Sequence, residues 1–295
     1  MAEFDVVLPF YGSSDHFEKA VRSVLAQSNR DFRLLCVDDH YPSLEPRNWL
    51  LSLGDPRVEY VRNPENLGVA ANFARCLELV EAEWFVMMGG DDVMLPNYLE
   101  AMSRRLREYP HVDVLQLGVE VIDSGGGISR PLGDRVKALV RPRSSHEPLI
   151  IDGARMARSL ARADWAYFPS LLWRTSTARR HGFSTEFAIA LDLALLLDIA
   201  LDGGRMLVAD DLVFQYRRHE ASASATGTHG DVRFAQEATL LDAYARRFTA
   251  RGWDSAARIA RWRLIPRLNA MVATAACLAR GRFGQAKRYL RYVFA

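Results

Sequence analysis

Short apolar runs alternating with amphipathic stretches set the plan of the first half of the chain. Residues 5–10 (DVVLPF), 32–37 (FRLLCV), 58–61, 84–88 (WFVMM) and 112–121 are apolar, β-favouring and bounded by turn residues, so each reads as a strand. Pro9 closes the first ladder because it has no N–H to donate. Between the strands the period changes. Phe17, Val21, Val24 and Leu25 mark one face of a helix running to Gln27, with Asp15 and Glu18 spaced as a capping box. Residues 44–53, 70–80 and 96–109 read as further helices, the last with proline near its start.

The second half is less regular. Residues 124–148 open with SGGGI and read as a mobile surface loop. A helix is expected over 151–163, an aromatic-rich segment (WAYFPSLLWR) over 165–174, and a strongly apolar helix carrying Asp192 within 183–201. Two short strands are expected at 206–208 and 212–216, followed by Arg217, Arg218 and His219 and a small-residue loop over 221–230. From residue 231 the pattern is helical. The expected division is a domain over 1–225 and a helical extension over 226–295.

Strands that alternate with helices of this length pair in parallel through right-handed crossovers. Parallel pairing brings every carboxyl end to one edge, where open α/β folds bind ligands. Residues 9–12, Asp38 and Asp39, residues 62–68, and Asp91 and Asp92 therefore converge. Paired carboxylates at such an edge suit a hard divalent cation carrying a phosphate. Taken alone, the Asp91–Asp92 pair reads first as a solvated turn in which Asp92 caps the helix begun near Pro96, and Asp39 as a turn residue. No G-x-G-x-x-G follows the first strand and no G-x-x-x-x-G-K-[ST] occurs, so a phosphate would rest on metal rather than on a glycine cradle.

Composition changes little in this picture. With 295 residues, 49% hydrophobic and 25% charged, the chain suits a soluble globular protein. A net charge of +2 gives no push toward nucleic acid. Cys36, Cys76 and Cys277 have no paired or metal-ligand spacing, as in a reducing compartment. The apolar stretch 187–201 is broken by Asp192 and Asp198, and the N-terminus lacks a basic secretory region; a cytoplasmic protein is expected. After Arg251 the chain is lopsidedly basic, with Arg258, Arg261, Arg263, Arg267, Arg280, Arg282, Lys287, Arg288 and Arg291 among aromatic and aliphatic residues. These helices read either as an element lying on an anionic membrane surface or as a cap with a solvated basic face.

The ordered series VVLPFYG, SVLAQSNRDFRLLCVDD, RNPENLGVAANF, MGGDD before LP, an apolar helix with an acid, and YRRH resembles glycosyltransferase family 2 over residues 4–220. The resemblance implies a GT-A fold, a Rossmann-like, mostly parallel sheet flanked by helices. It implies an inverting transfer of a hexosyl or related sugar from a nucleotide sugar, a UDP-sugar foremost, to a glycan or lipid-linked acceptor in bacterial surface polysaccharide synthesis. Pro9, Phe10 and Tyr11 match the segment that packs on the nucleotide base. Asp38 and Asp39 match the acids at base and ribose, Asn66 and Gly68 the N-x-G turn, and Asn72 the polar position after it. Asp91 and Asp92 match the end of the D-x-D-D motif holding diphosphate and Mg²⁺ or Mn²⁺, with His219 and Arg217 matching the Y-R-x-H segment beside them. Asp192 falls at the catalytic base. Gly89 stands at a usual first aspartate, Leu191 at the acid before the base, and Ala71 where arginine is frequent.

Two other classes compete. The substitutions at Gly89 and Leu191 suit a nucleotide-sugar-binding protein of the same fold without turnover. A sugar-1-phosphate nucleotidyltransferase would open with a basic glycine-rich loop, which LPFYGSSD lacks.

Overall fold

The structure, a computed structural model, describes residues 2–12, 14–143, 147–184, 187, 190–218 and 230–294. Among these residues nine strands form one sheet: β1 (Phe4–Phe10), β2 (Phe32–Asp38), β3 (Val58–Arg62), β4 (Trp84–Met87), β5 (Val93–Met94), β6 (Val114–Ile122), β7 (Leu149–Asp152), β8 (Leu172–Arg174) and β9 (Arg205–Arg217). The helices of the first half are α1 (Ser14–Leu25), α2 (Glu45–Ser52), α3 (Val69–Leu79), α4 (Tyr98–Glu108) and α5 (Leu132–Val140). Then come α6 (Gly153–Arg162), α7 (Thr175–His181), α8 (Leu191–Leu201), α9 (Gly230–Ala250), α10 (Asp254–Trp262), α11 (Leu264–Ala279) and α12 (Phe283–Phe294).

The strand order is β3-β2-β1-β4-β8-β6-β9-β5, with β7 also on β9. The period of two along β1 sorts its side chains between the two faces of the sheet. Phe4, Val6, Leu8 and Phe10 pack with Phe17 and Val21 of α1 and with Tyr98 and Met102 of α4. Val7 joins the opposite core with Leu35, Phe85 and Trp173, beneath α3, α6 and α8. Each fully buried side chain of this size stabilises the fold by about 1.5–3 kcal/mol. Cys36 and Cys76 are core residues, as their apolar surroundings predict.

The expected parallel pairing holds for β1 with β2 and β4, for β2 with β3, and for β6 with β9. It is corrected elsewhere: β8 runs antiparallel to β4 and β6, and β5 and β7 run antiparallel to β9. The stretch expected as a loop over 124–148 contains α5, which is anchored where Asp134 is buried. The helix expected from residue 151 starts at Gly153, because Ile150 and Ile151 instead pair with Leu207 and Met206 of β9. The two expected strands after residue 205 are one. Polar Asp210 and Asp211 interrupt the hydrophobic pattern, but the strand bulges there, with their carbonyls pressed against Gly118, where a Cβ would lie 2.8 and 2.7 Å away. Asp15 lies inside the first turn of α1 rather than at its cap.

The C-terminal helices extend the same core. Leu240, Tyr244 and Phe248 of α9 and Ala256 and Ala260 of α10 join the cluster that contains α8. The Tyr244 hydroxyl donates to the Ala194 carbonyl at 3.0 Å, and Arg247 pairs with Asp198, one of the two acids of the apolar helix, at 2.5 Å. α11 and α12 carry a smaller cluster around Cys277, Ala286 and Tyr289. Among the described residues no helix is long and apolar enough to cross a membrane.

Candidate active site

The ends of β1, β2 and β3 build the first part of the site. Phe10 is buried against Phe17, and Tyr41 stands edge-on to both Phe10 and Tyr11. Tyr11 is 57% exposed, so one ring of this cluster is open to a ligand beside Pro9. Asp38 accepts from the Tyr41 N–H at 2.6 Å and the Tyr60 hydroxyl at 2.5 Å. Burial, and then the bond to Asp38, raise the pKa of Tyr60.

Asp39 staples the following loop. Its carboxylate accepts from Asn63 Nδ2 at 2.9 Å, Leu67 N at 2.8 Å and Gly68 N at 2.9 Å. Gly68 takes a φ of 74°, left-handed and favourable to glycine, and caps α3. Asn66 closes the turn by accepting from Gly68 N, and Asn63 Nδ2 also donates to Asn72. Asp39, Asn66, Gly68 and Asn72 therefore belong to one network, which Asp38 joins through its backbone carbonyl, accepting from the Asn63 N–H at 2.8 Å. Asn63, its centre, was missed; the Asn-Pro after a strand was the signal for it.

The second part lies after β4. Asp92 is 1% exposed. Its Oδ1 accepts from the backbone N–H of Arg217 at 2.8 Å, so it does not cap α4, while its Oδ2 is buried with no hydrogen-bond partner among the described residues. Burial, and then the neighbouring charge of Asp91, push the Asp92 carboxyl well above the usual carboxylate range. Gly89 completes this corner. A Cβ there would lie 2.6 Å from Asp92 Oδ2 and 2.9 Å from Asp91 Oδ1, so both carboxylates close on the space that a side chain would fill. An orphaned buried oxygen, a second carboxylate and an open cradle fit a hard divalent cation completed by diphosphate oxygens. Among the described residues no cluster of three or more His, Cys, Asp or Glu side chains could hold a metal by itself. His219 lies outside the described residues.

Arg217 is 4% exposed and spans the corner. Its side chain donates to the carbonyls of Asp91 at 2.7 Å, Asp123 at 2.9 Å and Ser124 at 3.2 Å. Arg217 thus fixes the aspartate turn through the backbone. Its neighbour Arg218 clamps Asp134 with two bonds of 2.9 Å, which ties α5 to the end of β9.

The third part is a cavity of about 130 Å³ next to that strand end, bordered by Tyr216 and Arg218. Asp192, in the first turn of α8, faces it, together with Lys137, Asp164, Tyr167 and Glu237. Burial, and next the charge of Asp164, push the Asp192 carboxyl up to about 7. The helix N-terminus and Lys137 act the other way. Glu237 is raised as well, by burial first. Lys137, Asp164 and Glu237 carry no motif in the sequence; only folding assembles them.

A profile of glycosyl transferase family 2 matches residues 5–168. The Mycobacterium tuberculosis protein MT1568 is 26% identical over 225 residues, 75% of this chain and 68% of its own. The succinoglycan biosynthesis protein ExoO of Rhizobium meliloti is 25% identical over 243 residues, 81% of this chain and 68% of its own. The Bacillus subtilis protein EpsE is 24% identical over 123 residues, 41% of this chain and 44% of its own. The crystal structure of S. aureus TarS 1-349 in complex with UDP-GlcNAc superposes with a TM-score of 0.63 at 16% identity, covering 82% of this chain and 66% of that one. At that identity the likeness establishes the fold.

Proposed function

Since the chain belongs to glycosyl transferase family 2, we propose that it moves a sugar from a nucleoside diphosphate sugar, a UDP-sugar foremost, to a hydroxyl of a glycan or lipid-linked acceptor with inversion. The observation that carries this reading is that consecutive residues at the end of β9 serve both places: the Arg217 N–H holds Asp92, and Tyr216 and Arg218 border the Asp192 cavity. One site has a place for a departing diphosphate; the other has a base of suitable strength.

In this reading the base lies against Tyr11 and Phe10 beside Pro9, and the Asp39 network holds the loop along the nucleotide. Mg²⁺ or Mn²⁺ held by Asp91 and Asp92 would supply Lewis-acid neutralisation of the diphosphate when bound, and His219 stays a candidate ligand from the sequence alone, of a type that Mn²⁺ accepts. Arg217 keeps the two carboxylates aimed. Asp192 takes the proton of the acceptor hydroxyl. The acceptor oxygen bonds to the anomeric carbon from the face opposite the diphosphate, and the C–O bond to phosphate breaks with its electron pair leaving on the diphosphate. A single displacement of this kind inverts the centre.

Support for a role in surface polysaccharide synthesis comes from the succinoglycan relative. A cytoplasmic protein lying on the inner membrane face is supported by the last two helices, where Leu264, Phe283, Leu290 and Phe294 are exposed among Arg280, Arg282, Lys287 and Arg291. The nucleotide part is tested by thermal shift with UDP and Mn²⁺. The wild type is expected to gain stability and Asp92→Asn to gain none; equal gains in both proteins would overturn the assignment of this corner.

A further inference from the structure

Most of the groups facing Asp192 come from elements remote in sequence. Asp164 comes from the segment after α6, Lys137 from α5, Arg233 and Glu237 from α9, and Tyr216 and Arg218 from the end of β9; Tyr167 completes the polar wall. Most of these groups are engaged with one another. Arg218 is bound to Asp134, and the Tyr167 hydroxyl donates to Asp134 at 3.0 Å. Lys137 Nζ donates to the Ala166 carbonyl at 3.1 Å and lies 3.9 Å from Asp164 Oδ2. Asp164 differs from the rest. Its Oδ1 is buried with no hydrogen-bond partner among the described residues.

We propose that Asp164 is the partner carboxylate of Asp192, a positioning residue fixed across the cavity by Lys137 that sets how readily Asp192 takes the acceptor's proton. This rests on Asp192 being the base. Leu191 removes the adjacent acid found in the resembling family, and Asp164 supplies a second carboxylate from another element. A like charge nearby disfavours ionisation of Asp192 and makes its carboxylate more basic. Burial is the larger cause of that shift and Asp164 the second, while Lys137 opposes it. Lys137 therefore limits the effect in two ways, by screening Asp164 and by attracting the charge of Asp192.

The pair predicts opposite responses to two substitutions. Asp164→Asn removes the like charge, so the titration of Asp192 moves down by roughly one pH unit. Lys137→Met removes the opposing charge, so it moves up. The measurement is a pH titration of the aspartate ¹³Cγ resonances of the full chain, with the Asp192 signal identified by its loss in Asp192→Asn. Opposite shifts support the pair; an Asp192 titration unmoved in both variants overturns it. The readout needs no substrate. Opposite shifts in a protein inactive toward every donor would leave the pair standing and overturn the assignment of Asp192 as base.

Discussion

Replacing Gly89 by alanine puts a methyl group where two carboxylates already meet. The new Cβ would stand 2.6 Å from Asp92 Oδ2 and 2.9 Å from Asp91 Oδ1, whereas ordinary contact begins at 3.4 Å. Asp92 must then retreat by about 0.8 Å at Oδ2, while its other oxygen is tied to the Arg217 N–H at 2.8 Å. A retreat that breaks this bond leaves the buried Arg217 N–H without its partner, at about 1–3 kcal/mol. For a chain of this size that is a fall in Tm of roughly 2–12 °C. The larger expected effect is on ligand binding, because the methyl group would crowd the proposed cation site. Stabilisation by UDP with Mn²⁺ should be lost. Gly90→Ala is the control: a Cβ there meets Leu8, Pro9 and Phe10 at 3.7–4.0 Å, an ordinary contact, and should change neither quantity. The assay is differential scanning fluorimetry with UDP and Mn²⁺ or EDTA. A Gly89→Ala protein with unchanged Tm and unchanged UDP stabilisation would refute the reasoning that the carboxylates dictate this glycine.

Three further predictions concern Asp192 and the basic tail. With its pKa at about 7, the rate should fall on the acid side of pH 7, and Asp192→Asn should lose roughly 10²–10⁴-fold in kcat. The raised pKa also costs stability. That cost is absent below the ordinary carboxylate value and complete above about 7, so Asp192→Asn should melt higher than wild type at pH 8 but not at pH 4; the reverse order would contradict the shift. Reversing Arg280, Arg282, Lys287 and Arg291 to glutamate should weaken binding to phosphatidylserine vesicles by roughly 10²–10³-fold, at about 1 kcal/mol per lost charge. Equal flotation of both proteins would show that the tail is a solvated cap.

Much of the fold was legible because β1 to β3 and the helices around them are long enough to show their periods, and β4 stands out as a continuous apolar run. The converging aspartates followed from parallel pairing alone. β5, β7 and β8 are too short to show alternation, and their direction is set by partners distant in sequence. The glycines at 125–127 disguised α5, which is held mainly by the Asp134–Arg218 clamp. Gly89 reads in sequence as a lost carboxylate. In three dimensions it is the space that lets the other two approach. Lys137, Asp164 and Glu237 could not be found from spacing, since only the packing of α5, α6 and α9 around α8 brings them together.

The most direct test of sugar transfer is nucleotide release from UDP-, GDP- and dTDP-sugars with Mn²⁺, Mg²⁺ or EDTA, by wild type and Asp192→Asn. One donor should be hydrolysed slowly, only with metal, and only by the wild type. Failure to bind or turn over any nucleotide sugar, with lipid-linked acceptors supplied, would contradict it.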